Sequence, residues 1–327
     1  ECGISLGSDT TSDAPIVFQK SFAKRLVAMS RARGFGAKLA AFKGFSPAEL
    51  APVPPNTGEP RTGLSMGEHC ELMAKEWGIT REAQDLLAYE SHKKAAAAYD
   101  DGFMDDLVVP CAGVFRDNNI REDISLEKMA ELKPVFDRSG KGTITPANST
   151  PLTDGASTVL LASEDWAEKR HIPVQAYLTF GRTAAVDYVA GEGLLMAPVY
   201  AVSDLLKQSG LALQDFDYYE IHEAFAAQVL ASLKAWESEE FCRSRLGRDK
   251  ALGPIDRSKL NVKGSSIAIG HPFAATGARI LPVLSKLLQE KRGGRGLISV
   301  CTAGCMGVAA ILEGVGTQPA PSAAANG

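Results

Sequence analysis

Tyr219-Glu220-Ile221-His222-Glu223-Ala224-Phe225-Ala226-Ala227-Gln228 reads as an apolar strand running directly into an amphipathic helix, with a histidine at the junction. The strand reaches back to Phe216 and the helix forward to Trp236. The same alternation continues on both sides. Residues 156–161 read as a short buried strand, 164–170 as helix, 174–180 as strand and 197–208 as helix. Residues 265–269 read as a strand ahead of a helix over 273–290, and apolar strands at 297–300 and 308–312 flank a turn of small residues. Strand and helix in turn predict an α/β architecture with helices laid on a sheet.

Upstream the pattern changes. Ile4-Ser5-Leu6-Gly7 reads as the end of a strand with no sheet neighbour before it, and Glu1 stands first, which predicts a piece of a longer polypeptide. Residues 14–48 carry seven basic side chains (Lys20, Lys24, Arg25, Arg31, Arg33, Lys38, Lys43) and no acidic one, interleaved with Phe18, Phe22, Leu26, Leu39 and Phe42. A basic amphipathic pair of helices suits an anionic membrane surface or a protein partner; the plainer alternative is a solvated face packed on its own domain. Pro52, Pro54, Pro55 and Pro60 then mark a loop. Residues 66–102 read as two helices, with Thr80 capping the second and Gly102 ending it. Residues 107–136 read as short strands and loops, and the Pro-, Ala- and Ser-rich tail from Gly316 as disordered.

Composition narrows the class. A chain of 327 residues has room for two domains, at about 150 residues each. Hydrophobic residues at 45% and charged residues at 23% suit a globular protein in water. No apolar run approaches the roughly 18 residues of a membrane-spanning helix. A net charge of −4 argues against general nucleic-acid binding. Six cysteines at irregular spacing do not form a disulfide framework and point to a reducing compartment.

Three places carry residues suited to chemistry. His222 stands at a strand's carboxyl end, where α/β sites gather, although a histidine capping the helix is the plain alternative. It does not begin a zinc-protease motif, because Ala226 stands where a second histidine would be. In Gly270-His271-Pro272, proline suits a first helical position, and a helix N-terminus would keep His271 neutral and able to accept a proton. A tight strand–helix junction with an incidental histidine is the alternative there. Cys301-Thr302-Ala303-Gly304-Cys305 opens the turn near the C-terminus and is expected to expose a sulfur beside backbone N–H groups, as thiol acid/base or oxyanion chemistry requires. Cys305 reads as an inert thiol or a redox partner; the spacing does not suit a metal, and none is expected.

Taken together these segments resemble the thiolase family. His222-Glu223-Ala224-Phe225-Ala226, Gly270-His271-Pro272 with Ala275-Thr276-Gly277-Ala278-Arg279, and Cys301-Thr302-Ala303-Gly304 occur in the family's order and spacing. Asn148-Ser149-Thr150-Pro151-Leu152-Thr153-Asp154-Gly155-Ala156 resembles the segment carrying a substrate-contacting hydroxyl, and Met66-Gly67 with Ile79-Thr80-Arg81-Glu82-Ala83-Gln84-Asp85 resembles the loop domain. His222 in place of the commoner asparagine, with the basic insertion, resembles the thiolase subunit of fatty-acid β-oxidation multienzyme complexes.

The resemblance implies a layered αβαβα thiolase-like fold with an inserted, mostly helical loop domain and a truncated N-terminal half. The boundaries it implies are 1–13 for the end of the N-terminal half, 14–137 for the loop domain (14–60 the basic insertion), 138–171 for the rest of that half, 172–315 for the C-terminal half, and 316–327 for the tail. It implies thiolytic cleavage of a 3-ketoacyl-CoA by coenzyme A, with CoA as substrate and no cofactor. His271 takes the role of base, Cys301 of acid, and His222 of holding a water that binds an oxyanion; Ala303 N–H serves a second oxyanion, and Thr150, Met66 and Phe225 touch substrate. No cysteine here matches the family's acyl-accepting motif, so the chain alone is expected not to turn over. Ala303 and Cys305 stand where the family usually has glycine.

The same resemblance implies a homo-oligomer; residues 14–60 are expected to contact a hydratase/dehydrogenase partner or a membrane surface, no nucleic acid is expected from the net charge, and the expected location is the bacterial cytoplasm or the mitochondrial matrix. The competing readings are an acetoacetyl-CoA-forming biosynthetic thiolase, a 3-ketoacyl synthase, and a non-catalytic CoA-ester-binding scaffold. A decarboxylating synthase has no need of the Cys301 motif.

Overall fold

Two antiparallel strands and a four-stranded mixed sheet sandwich one long helix, and this layering positions the site. The computed structural model describes residues 1–15, 17–53, 57–318 and 320–321. The chain divides into two compact units, Glu1–Thr11 with Glu59–Gly327, and Ser12–Gly58. The segment expected as a loop domain, 14–137, is shared between these units: residues 14–58 fall in the smaller one and the helices after residue 65 in the larger.

The larger unit begins with β1 (Cys2–Asp9). The unit Ser12–Gly58 holds β2 (Val17–Phe18), α1 (Lys20–Arg31), α2 (Phe35–Ala40) and β3 (Pro52–Val53), with β2 and β3 antiparallel. Its centre is a cluster of Phe18, Phe22, Phe42 and Phe45 with edge-on and tilted ring contacts. Arg25 forks onto Glu49 at 2.9 and 3.1 Å and also donates to the Lys43 carbonyl at 2.7 Å. Neither helix buries a residue fully, and Phe35 is 82% exposed, so this unit has only a thin core.

The larger unit continues with α3 (Met66–Glu76), α4 (Arg81–Asp100) and the short α5 (Leu126–Ala130). A reciprocal Ser65–Glu68 capping box starts α3, and Thr80 accepts from Ala83 N to start α4, as its sequence suggests. Residues 107–136 differ from expectation: they hold α5 and loops, with one isolated bridge between Cys111 and Val114 in place of strands.

Next come β4 (Gly155–Ala162), α6 (Glu164–Glu168), β5 (Ala176–Ala185), α7 (Ala197–Ser209), β6 (Tyr218–Ile221), α8 (Ala226–Glu237) and α9 (Glu239–Ser244). The chain ends with α10 (Ser266–Ile269), α11 (Ala275–Lys291), β7 (Arg295–Thr302) and β8 (Met306–Gly314). The main sheet runs β5-β8-β7-β6, with β6 parallel to β7 and the other pairs antiparallel. Helix α7 covers one face of that sheet; α11 lies against the other and against the antiparallel pair β1–β4.

Strand β7 shows how the layers are sorted. Leu297 and Cys301 join the core built on α7, α8, α3 and α4, while Ile298 between them packs with Ile280, Leu284 and Leu288 of α11. That is the period-two alternation of a strand buried on both faces. The β4 run, expected to be buried, instead alternates between half-buried and exposed. Only one face of the β1–β4 pair lies on α11, so Ile4, Leu6 and Leu160 open outward, Ile4 being 73% exposed.

Two further expectations change. Residues 266–269 form a single helical turn rather than a strand, bracketed by Gly264 and Gly270, both at positive φ. Helix α11 begins at Ala275, so Pro272 precedes it rather than opening it. In the tail expected to be disordered, Thr317 Oγ1 accepts from Gly294 N and Ala320 N donates to Glu313; residues 319 and 322–327 lie outside the described residues.

Candidate active site

Parallel β6 and β7 end at the same edge of the sheet, and two of the three predicted catalytic side chains, His222 and Cys301, come from those strands. His222 follows the last residue of β6 and donates its backbone N–H to Ser299 O of β7 at 2.8 Å. Cys301 lies two residues farther along β7. His271 arrives from the other direction, as the second residue after α10, and its N–H donates to Pro151 O at 3.0 Å. The two imidazoles meet with ring centroids 4.4 Å apart and planes tilted by 43°.

Close backbone approach makes this placement possible. Gly270 has φ +114°, and a Cβ there would sit 2.6 Å from Thr153, so only glycine lets His271 reach the 151–153 segment. Gly7 in β1 faces the entry to α11, where an added Cβ would lie 2.0 Å from Ala274 O. Asp9, two residues on, accepts from Ala274 N at 2.8 Å, supplying a carboxylate where helix α11 starts.

The histidines differ in their partners. His271 Nδ1 shares a 2.7 Å hydrogen bond with Thr276 Oγ1. His222 Nδ1 shares one of 2.7 Å with Ser266 Oγ, and His222 Nε2 is buried with no protein partner. Burial, then the charge of Arg279, pushes His271 down to about 4, with Asp9 opposing. Burial, then His271 and Arg279, pushes His222 well below the ordinary histidine range. Both rings are neutral at pH 7. The expected cause for His271, a helix N-terminus, is replaced by desolvation and a nearby guanidinium.

Cys301 also differs from expectation. Rather than exposing its sulfur in the turn, it is buried inside β7, because Leu297 and Cys301 share the strand face that packs on the core. Burial pushes its thiol up to about 12, so it holds its proton at neutral pH. Ala303 is exposed in the β7–β8 turn, and Cys305 there takes the left-handed conformation at φ +58°.

The substrate-side candidates surround this edge to different degrees. Phe225 precedes α8 in extended conformation, bridges Ser149, and meets Phe136 edge-on at 6.0 Å. It shares a core with Cys301, and Met66 at the start of α3 packs against that core. Helix α8 thus starts three residues later than expected, leaving 223–225 as a connecting loop. Thr150 donates its hydroxyl to Ser266 O at 2.7 Å and its N–H to Ala224 O at 3.1 Å, tying the two histidine segments together.

Several residues around the histidines carry no signal in the linear pattern. Glu223 accepts from Ser91 Oγ and Asn261 Nδ2 at 2.7 Å each and from Ile267 N at 3.2 Å, which fastens α10 beside His222. Glu220 shares the strand face of His222 and is buried with both carboxylate oxygens unpartnered; burial pushes it up to about 8 against the pull of Arg279. Ser266 and Arg279 meet through a 2.9 Å hydrogen bond. These contacts arise from the turn at 266–269, and only recognising that turn from its flanking glycines would have placed them. Among the described residues no group of three or more His, Cys, Asp or Glu is arranged to hold a metal.

Known proteins match this arrangement along nearly the whole chain. Residues 57–165 match the family profile described as thiolase, N-terminal domain, and residues 173–314 that described as thiolase, C-terminal domain. A 3-ketoacyl-CoA thiolase of Pectobacterium atrosepticum is 46% identical over 319 residues, 96% of this chain and 72% of that protein. The 3-ketoacyl-CoA thiolase of Alteromonas mediterranea is 45% identical over the same shares. Among solved structures, a thiolase from Ascaris suum in complex with coenzyme A superposes with TM-score 0.75 at 27% identity, covering 96% of this chain and 72% of that one. Human mitochondrial 3-ketoacyl-CoA thiolase in complex with CoA gives 0.74 at 28% identity, covering 96% and 71%. With both halves of the family matched in order and its curated relatives nearly half identical, the chain belongs to the thiolase family.

Proposed function

We propose that this chain carries the acid, base and oxyanion-binding residues of a 3-ketoacyl-CoA thiolase, an acyltransferase that uses coenzyme A as its second substrate. The observation that supports this most is the contact of two neutral imidazoles, one of them following β6, together with a buried, protonated thiol near the end of the adjoining strand β7. The relatives' names and the CoA-bound structural neighbours point to the same substrates.

The chemistry follows from those protonation states. An acyl-accepting thiol must lose its proton before attacking the C3 ketone, and neutral His271 takes it. The carbonyl π electrons move onto oxygen, and the resulting oxyanion needs donors; His271, now protonated, and a water on His222 Nε2 supply them. Collapse breaks the C2–C3 bond and leaves the acetyl-CoA enolate, a far stronger base than a thiolate. Cys301 gives its S–H proton to C2, and its raised pKa keeps that proton available at neutral pH. The amide of Ala303 would bind the enolate oxygen. Protonated His271 returns its proton to the Cys301 thiolate and then takes the thiol proton of coenzyme A, which attacks the acyl-thioester, releases the shortened acyl-CoA and leaves the accepting thiolate beside protonated His271.

No cysteine in this sequence matches the acyl acceptor. Cys70 and Cys242 are buried, Cys2 lies in exposed β1 and Cys111 in an exposed loop. The reading therefore predicts that the 327-residue polypeptide alone forms no acyl-enzyme on incubation with acetyl-CoA. A stoichiometric acetyl adduct by intact mass would contradict that part. The activity itself is tested by thiolysis of 3-ketoacyl-CoA esters with the native protein. Replacing Cys301 by alanine should lower kcat by about 10²- to 10⁴-fold, and an unchanged rate would sink the proposal. We further propose that the protein works in the cytoplasm or mitochondrial matrix as a homo-oligomer, with residues 14–60 as its contact with a hydratase/dehydrogenase partner or a membrane surface. No helix among the described residues is long and apolar enough to cross a membrane.

A further inference from the structure

We propose that Ser266 and Arg279 are positioning residues that hold His222 as the tautomer with its proton on Nε2. The argument is a count of donors and acceptors and rests on the reading of His222 as an oxyanion-side donor. A guanidinium has N–H donors and no acceptor. Arg279 Nη2 lies 2.9 Å from Ser266 Oγ, so that contact obliges the serine oxygen to accept. The hydroxyl keeps one proton to donate. Apart from His222 Nδ1 at 2.7 Å, no acceptor for it exists among the described residues, and Ser266 is fully buried. The proton therefore points at Nδ1, which must present its lone pair. The ring is neutral, so its own proton resides on Nε2, the nitrogen that is buried without a protein partner.

The surroundings hold the serine in that pose. Its carbonyl accepts from Thr150 Oγ1, and the next residue's N–H is fixed by Glu223. The charges of Asp117 and Glu223 favour the guanidinium form of Arg279. The consequence is a buried N–H donor of fixed direction beside His271. Asparagine, the commoner residue at the His222 position in the resemblance noted above, likewise offers an N–H donor from its side chain.

The test reads the tautomer directly. The 327-residue chain is labelled with ¹⁵N-histidine, and the His222 ring is assigned by its loss in His222→Asn. The expected pattern at pH 7 is a pyridine-type Nδ1 and a protonated, pyrrole-type Nε2; a protonated Nδ1 would overturn the proposal. Arg279→Met removes the obligate donor and frees Ser266 to accept from Nδ1, so the single pattern should give way to a mixture. Arg279→Lys, which still donates, should restore it. A wild-type pattern in folded Arg279→Met would equally overturn the role of Arg279. If that variant does not fold, the wild-type spectrum still decides the tautomer, and folded Ser266→Ala should show the same mixture. In the native protein, Arg279→Met should lower kcat at least tenfold with KM little changed, and Arg279→Lys should recover most of it. The nitrogen spectra need no turnover, so an error in the assigned reaction and an error in the tautomer show up separately.

Discussion

His222 and His271 touch, are both desolvated and are both neutral, yet their hydrogen-bond partners suit them to different work. Ser266 Oγ, facing His222, is pinned by a guanidinium and can only donate to the ring. Thr276 Oγ1, facing His271, has no such donor on its other side among the described residues and can either give or take a proton as the ring changes state. A general base must change protonation during each turnover, whereas an oxyanion donor works best when it never does. On the proposed reading, one scaffold makes a fixed donor and a switchable base from the same side chain through the hydroxyl placed beside each.

The comparison can be broken most severely at the base. In the native protein, His271→Ala should cost about 10²- to 10⁴-fold in kcat for thiolysis. A smaller loss than for His222→Ala would reverse the assigned roles. His222→Ala should cost on the order of 10²–10³, whereas His222→Asn, which retains an N–H donor, should stay within about tenfold of wild type if donation is what matters. Equal losses in the two His222 variants would show that the imidazole itself takes part.

Stability against pH sharpens the comparison less steeply. The folded pKa of His271, near 4, lies below its unfolded value of about 6.5. Between those values the unfolded chain binds more protons, so stability is fully present above about pH 6.5 and is lost as pH falls toward 4. His271→Gln should flatten the change in urea midpoint between pH 7 and 5; an unchanged slope would mean the ring is not desolvated. Glu220 runs the other way. Its folded pKa near 8 exceeds the unfolded value, so its contribution is present below about pH 4.5 and is lost as pH rises through 8. Glu220→Gln should gain on wild type in stability between pH 5 and 8. The smallest effect is expected at Asp9→Ala, which removes the carboxylate from the entry to α11 and should cost about 1 kcal/mol in denaturant unfolding.

How far the sequence foretold this site depends on the kind of signal. Residues at strand ends were legible, because the 216–221 and 297–300 runs are apolar and bounded by small or polar residues. Thr80 and Gly102 were legible as helix boundaries for the same local reason. Residues 265–269 were not, since Ile267-Ala268-Ile269 reads equally as a buried strand or a buried helical turn, and only the positive φ of Gly264 and Gly270 separates them. That one misreading hid Ser266, and with it the link from Arg279 to His222. The burial of Cys301 was hidden too: where a strand ends in a hairpin is a matter of register, and Cys301 pairs with Gly307 inside the ladder rather than in the turn.

The most direct test separates the chemistry at sulfur from the chemistry at carbon. Exchange of labelled coenzyme A into acetyl-CoA requires acyl transfer through the accepting thiol but no proton at C2. Measured on the native protein alongside thiolysis, Cys301→Ala should retain most of the exchange and lose about 10²- to 10⁴-fold in thiolysis; His271→Ala should lose both. Loss of exchange in parallel with thiolysis in Cys301→Ala would contradict the assignment of Cys301 as the acid at C2.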